Sequence, residues 1–221
     1  MLHSLVIPVF NEFEGLPSLF ARLEKLMATF APDRFEVIFV NDGSRDGSAE
    51  RLDQYVAEQA GKISYEPKVL HFSRNFGHQL AITAGIDWAE GATVTVIDAD
   101  LQDPPEVIGD FLNQWREGFE VVYAVRRSRA GESWFKLVTA KLFYRFIRRL
   151  TRVDIPVDTG DFRLMDRRVV DAFKQMKERH RFVRGMVSWV GFRQTGVLYD
   201  RAQREFGETH YPFRKMLKFL S

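Results

Sequence analysis

The feature that most restricts the fold is a repeated alternation of short apolar runs with longer amphipathic segments. "LVIPVF" (5–10), "FEVIFVND" (35–42), "KVLHFS" (68–73), "TVTVID" (93–98) and "EVVYAV" (120–125) each have the length of a strand. Between them, "EGLPSLFARLEKLMATF", "GSAERLDQYVAEQ", a segment near 77–89 and another from about Pro105 to Glu117 place apolar residues at helical spacing. Strand-length runs with little polar alternation predict strands buried on both faces. The alternation itself predicts an α/β fold: a mainly parallel sheet flanked by helices. With 221 residues, 45% of them apolar, the chain can form one large domain or two small ones, and no internal repeat, low-complexity tract or linker divides it.

In such sheets ligands bind beyond the carboxyl ends of the strands. Four of those ends carry clustered polar groups: Asn11 and Glu12, then Asn41-Asp42-Gly43-Ser44, then Ser73-Arg74-Asn75, then Asp98-Ala99-Asp100. One such end is ordinary turn chemistry; four in succession are read as one site. The last is the densest, with Asp98, Asp100 and Asp103 crowded into six residues. Side chains two apart on a strand point the same way, roughly 6–7 Å apart along it. Close carboxylates repel, so Asp98 and Asp100 are read as holding a positive charge, the bland alternative being two solvated turn residues. Oxygen ligands without cysteine suit Mg²⁺ or Mn²⁺, which completes its shell with phosphate oxygens and water. Asp103, before two prolines, is expected to cap a helix. Neither G-x-G-x-x-G nor G-x-x-x-x-G-K-[ST] occurs, which argues against a dinucleotide dehydrogenase or a P-loop enzyme.

The chain has no cysteine, which excludes disulfides and thiolate metal sites. Its net charge of +2 is too small for a general nucleic-acid binder, but the charge is uneven. From Arg126 to Arg152 there are nine Lys/Arg and one acid, Glu132, a balance of about +8 that leaves about −6 for the rest. Such a block predicts a local anionic partner. Within it, 133–152 places apolar residues at 135, 138, 142, 146 and 150 between basic flanks, the pattern of an amphipathic helix lying on an anionic membrane surface. A core helix with a basic outer face is the alternative, and a second copy of the chain is another partner for its apolar side. No signal peptide is evident, and no apolar stretch reaches the roughly 18 residues of a membrane span.

Five segments, "VIPVFNE", "VNDGSRDGS", "SRNFGHQLAITAGIDWA", "DADLQDPPE" and "TGDFRLMDR", resemble in order and spacing the family 2 glycosyltransferases with the GT-A (Rossmann-like) fold. Together with "REFGETHYPF", they look like the polyprenyl-phosphate subgroup, which includes bactoprenol glucosyltransferases, aminoarabinose transferases and dolichol-phosphate mannose synthases. The resemblance implies a single domain over 1–221, in which Pro8, Asn11 and Glu12 contact the nucleotide and Asp42 reads the base or its ribose, although many relatives have a second acid where this chain has Asn41. It implies that Asp98, Asp100 and Gln102 form the metal and diphosphate motif and that Asp161 stands at the position assigned as catalytic base. It also places acceptor-phosphate arginines near the fifth strand: Arg126 or Arg127, with Arg127 favoured and Arg129 read as a surface charge. Relatives in the bactoprenol group continue into transmembrane helices, so 211–221 is expected to begin a juxtamembrane segment of either a truncated piece or a chain relying on surface helices.

The implied reaction is inverting transfer of one sugar, glucose as the first guess, from a UDP-linked donor to polyprenyl phosphate. Its expected place is the cytoplasmic face of the bacterial inner membrane. A metal on Asp98 and Asp100 would stabilise the departing diphosphate. A lipid phosphate is already largely ionised near neutral pH, its second pKa being about 6. Asp161 then has little proton to remove and is expected to position the acceptor or balance charge. Rival readings are a soluble transferase acting on a hydroxyl, with Asp161 a true base, and a nucleotide-sugar-binding module without turnover. Of the five histidines none has zinc-ligand spacing, and His78, near the end of the third strand, is read first as structural, with contact to the ligand as the alternative.

Overall fold

The computed structural model describes residues 1–127, 159–178 and 181–202. Its centre is a seven-stranded sheet: β1 (Leu2–Val9), β2 (Arg34–Asn41), β3 (Tyr65–His71), β4 (Thr93–Val96), β5 (Val121–Arg126), β6 (Thr159–Asp166) and β7 (Gln194–Tyr199). The spatial order is β3-β2-β1-β4-β6-β5-β7. β6 runs antiparallel to both neighbours, β4 and β5, and the other pairings are parallel. Among the described residues six α-helices cover the sheet: α1 (Leu16–Met27), α2 (Ser48–Gln59), α3 (His78–Trp88), α4 (Val107–Arg116), α5 (Arg167–Gln175) and α6 (Val183–Trp189).

The unbroken apolar runs have the expected cause. Leu5, Ile7 and Val9 of β1, with Val37 and Phe39 of β2, pack on one face against Leu19 and Leu23 of α1, Leu52 of α2 and Phe111 of α4. Val6, Ile38 and Val40 turn to the other face and meet Ile82 and Ile86 of α3, Phe173 of α5 and Val187 of α6. Each of these strand side chains is at most 1% exposed. Removing one large member leaves a cavity that costs about 2–5 kcal/mol. Gly85 lets α3 lie close on the sheet: a β-carbon there would sit 2.2 Å from Val6 Cγ1.

The five expected strands and their helices form with shifts of a few residues. The fourth strand stops at Val96 rather than Asp98, so Asp98 stands just beyond the ladder, after Ile97 N–H has bonded Val6 O at 3.1 Å. Two strands and two helices were not anticipated: β6, β7, α5 and α6. "TGDFRLMD" carries Asp161, Arg163 and Asp166, which break the apolar pattern of a central strand. The cap expected of Asp103 is corrected. α4 begins at Val107, after turns closed by Pro104, Pro105 and Glu106 carbonyls, while Asp103 is 2% exposed and accepts from the Tyr199 hydroxyl. The amphipathic segment 133–152 and the stretch 211–221 lie outside the described residues. Among the described residues, no helix is long and apolar enough to cross a membrane.

Candidate active site

The sheet order reverses between β1, whose connection leads to β2, and β4 on its other side; a crevice at such a switch point is where open α/β sheets bind ligands. β6 adds an unexpected partner. Because it is antiparallel, its beginning, not its end, lies at this rim: Thr159 is in register with Val125, near the end of β5. Asp161 therefore arrives beside residues from the ends of β4 and β5.

The β1 and β2 ends form a tightly tied cradle. Asn11, with φ +54°, donates its N–H to Ser44 Oγ at 2.9 Å and accepts from Arg45 N–H at 2.9 Å. Asparagine tolerates that left-handed conformation better than most residues. Glu12 N–H donates to Ser48 Oγ at 3.1 Å, and Asp46 accepts from Phe13 N–H and Ser48 N–H, both at 3.0 Å. Pro8 lies within β1 opposite Val40. Asp42 is 3% exposed and accepts from Phe76 N–H at 2.7 Å and Gly77 N–H at 2.9 Å. It thus fixes the entry to α3.

The β4 end is the acidic part. Among the described residues Asp98 Oδ1 is buried with no hydrogen-bond partner, although its side chain as a whole is 34% exposed. Burial pushes its carboxyl pKa up to about 6; the neighbouring His78 opposes this, and the charges of Asp103, Asp100 and Asp161 add to it. Asp100 accepts from Gln102 N–H at 3.1 Å, around Leu101 at φ +57°. A bulky side chain at positive φ is strained, and it is anchored here by being 5% exposed. Gln102 O in turn accepts from Ala202 N–H at 2.9 Å, strapping this loop to the end of β7.

Asp161 Oδ2 accepts from Gln79 Nε2 at 2.8 Å and lies 3.2 Å from His78 Nε2, which is also 3.6 Å from Asp98 Oδ1. Burial alone would raise the Asp161 carboxyl, but the hydrogen bond from His78, the nearby Arg163 charge and the Gln79 amide hold it below the usual range. For His78, burial disfavours the cation, yet the bond to Asp161 and the charges of Asp98, Asp161 and Asp42 together raise its pKa. His78 therefore lies within the acidic rim, between Asp161 and Asp98. Arg163, 2% exposed, donates to Gly160 O at 2.9 Å, and burial lowers its pKa to about 10.

Of the two candidate acceptor arginines, Arg126 is turned toward the carboxylates. Its Nε donates to Tyr199 Oη at 3.1 Å, and that hydroxyl donates to Asp103. Arg127 is 60% exposed and pairs with Asp200 at 3.2 Å. Arg129 lies outside the described residues. At the opposite edge of the sheet a cavity of about 420 Å³ is lined by His3, Asp33, Trp115 and Arg116 among others, away from this rim.

The comparison with known proteins now settles the family. The profile described as "Glycosyl transferase family 2" matches residues 4–173. The chain belongs to glycosyl transferase family 2. It is 53% identical over 216 residues to the uncharacterized glycosyltransferase YkcC of Bacillus subtilis, covering 98% of this chain and 65% of that protein. It is 38% identical over 208 residues to the prophage bactoprenol glucosyl transferase homolog of Escherichia coli K12, covering 94% and 66%. The chain thus spans slightly less than two thirds of the length of these relatives. Among solved structures, the fold matches the mannosyltransferase PcManGT of Pyrobaculum calidifontis in complex with GDP-Man and Mn²⁺, with a TM-score of 0.61 at 15% identity over 92% of this chain and 58% of that one. It also matches Staphylococcus aureus TarS 1-349 in complex with UDP-GlcNAc, with a TM-score of 0.57 at 15% identity over 93% and 60%. These are GT-A glycosyltransferase folds, as the family 2 resemblance implies.

Among the described residues no group of three or more His, Asp or Glu is arranged to hold a metal. The donor set still fits a hard dication completed by phosphate oxygens and water: two acids at one loop, one presenting a buried oxygen without a donor.

Proposed function

We propose that this chain catalyses inverting transfer of a single sugar from a nucleoside diphosphate sugar to polyprenyl phosphate. The observation that carries the reading is the meeting at one rim of an acid with an unsatisfied buried oxygen, Asp98, and a carboxylate with depressed basicity, Asp161. The bactoprenol glucosyl transferase names among relatives at 38–39% identity support the acceptor and make glucose the first donor to test. A UDP carrier is supported by the UDP-sugar bound to TarS.

In this reading Asp98 and Asp100 hold a divalent ion, Mg²⁺ or Mn²⁺, with Gln102 beside them. When bound, that ion supplies Lewis-acid stabilisation of the charge growing on the leaving diphosphate. The cradle of Pro8, Asn11, Glu12 and Asp42 receives the nucleotide. Arg126, with Arg127 farther out, neutralises the acceptor phosphate. Asp161 faces a developing positive charge at the anomeric carbon. Two N–H donors on one oxygen make it a weak base, which suits an acceptor that arrives already ionised better than a hydroxyl. The basic segment 133–152 and the stretch 211–221 are proposed to rest on the anionic cytoplasmic face of a membrane, where a second copy could also dock.

The test uses purified protein with Mg²⁺ or Mn²⁺, a panel of UDP- and GDP-sugars and a short-chain polyprenyl phosphate. The expected product is one glycosyl polyprenyl phosphate of inverted configuration, lost on chelation, restored by the added metal and abolished in Asp100→Asn. Transfer to free glycan hydroxyls but not to the lipid phosphate would replace this reading with the hydroxyl-acceptor one. Turnover that survives thorough chelation would remove the metal from it.

A further inference from the structure

We propose that His78 and Gln79 are positioning residues that lock one oxygen of Asp161, and that Gln79 acts in an amide orientation dictated by Val183. The inference rests on the reading of Asp161 as the carboxylate at the reacting centre. Consecutive residues in the first turn of α3 both reach Asp161 Oδ2, Gln79 Nε2 at 2.8 Å and His78 Nε2 at 3.2 Å. Both hydrogen bonds to this carboxylate among the described residues fall on Oδ2, and in this proposal Oδ1 is the oxygen that serves the substrate. Gln79 has a second tie: its Oε1 accepts Val183 N–H at 3.0 Å, at the start of α6. A backbone N–H can only donate and an ionised carboxylate can only accept, so both neighbours require the same orientation of the amide. One side chain thereby joins the starts of α3, α6 and β6.

The base of this clamp is rigid. Asp42 holds Phe76 N–H and Gly77 N–H, and Gly77 enters α3 at φ +103°, a conformation that favours glycine. The chain of contacts runs from the β2 end through the 76–77 turn and the His78–Gln79 pair to Asp161. A displacement of about 1 Å at a reacting group is enough to cost on the order of a hundredfold in rate.

The decisive variant is Gln79→Glu. It keeps an acceptor for Val183 and sets a carboxylate against Asp161. Expected are a melting temperature within a few degrees of wild type, nucleotide affinity and donor KM within about twofold, and kcat down about a hundredfold or more. His78→Gln keeps one donor and is expected to retain more kcat than His78→Ala. Wild-type turnover in Gln79→Glu would overturn the proposal, as would a fall in kcat accompanied by matching losses of nucleotide affinity and melting temperature. Should the wild type transfer to no acceptor, the functional reading fails, and the clamp is read separately by NMR. The Gln79 side-chain amide resonances should shift in Asp161→Asn, and unshifted resonances would sink the clamp itself.

Discussion

Two carboxylates at opposite strand ends of the same sheet, each with a buried oxygen, have opposite surroundings. Glu36, near the start of β2, is 0% exposed, and every direction around it holds a donor: Ser4 Oγ at 2.5 Å, Lys68 Nζ at 2.8 Å, Glu90 N–H at 2.7 Å and Gly91 N–H at 3.3 Å. Burial would raise its carboxyl, but Lys68, Ser4 and the Glu90 amide outweigh that and lower it. Asp98, past the end of β4, keeps an oxygen without a donor among the described residues, and burial among other acids raises its carboxyl to about 6. A satisfied buried charge ties elements together; an unsatisfied buried oxygen costs stability, and such costs cluster at functional sites.

The largest way to break this comparison is Asp98→Asn. Transfer should fall about a thousandfold, on the order of 4 kcal/mol in the barrier, with the fold intact by circular dichroism and at least as stable in thermal melts. A stability loss comparable to that of a Glu36 variant would place Asp98 with the structural carboxylates. Glu36→Ala is the converse: loss of about 2–4 kcal/mol by denaturant unfolding, because Lys68 and two backbone N–H groups lose their acceptor, with turnover per folded molecule near wild type.

The smallest effect is in pH. The Asp98 pKa of about 6 lies above the roughly 3.9 of an unfolded aspartate, so the folded state is the better proton binder. Its contribution to stability is complete below about 4 and is lost as pH rises through about 6. For Glu36, held low, the contribution is present above its unfolded pKa and lost as pH falls. Melts of chelated protein from pH 4.5 to 7 should therefore show wild type losing stability relative to Asp98→Asn as pH rises. Parallel curves for the two proteins would mean that Asp98 is not strained by its burial.

The local pattern made much of the fold legible. Five strands and the helices between them follow from apolar runs whose alternate residues feed two core layers, and the polar strand ends do gather at one rim. Less legible were β6 and β7. Arg163 in the middle of β6 hides a central strand, since a buried guanidinium reads in sequence as a surface charge. Asp103 shows the same limit: its position before two prolines indicates a cap, yet Tyr199, 96 residues away, supplies its partner.

By itself the sequence determined the strand–helix order as far as the fifth strand and, within a few residues, where those strands end, because backbone periodicity and turn chemistry act over a few neighbours. The resemblance of its motifs added the family. Only the tertiary structure decided that the single antiparallel strand would bring Asp161 to the rim, that His78 and Gln79, 83 and 82 residues away, would meet its carboxylate, and that Arg126 rather than Arg127 would turn toward the acids. Those outcomes depend on which strands pair and in which direction, and nothing within the span of one turn or one helix records that choice.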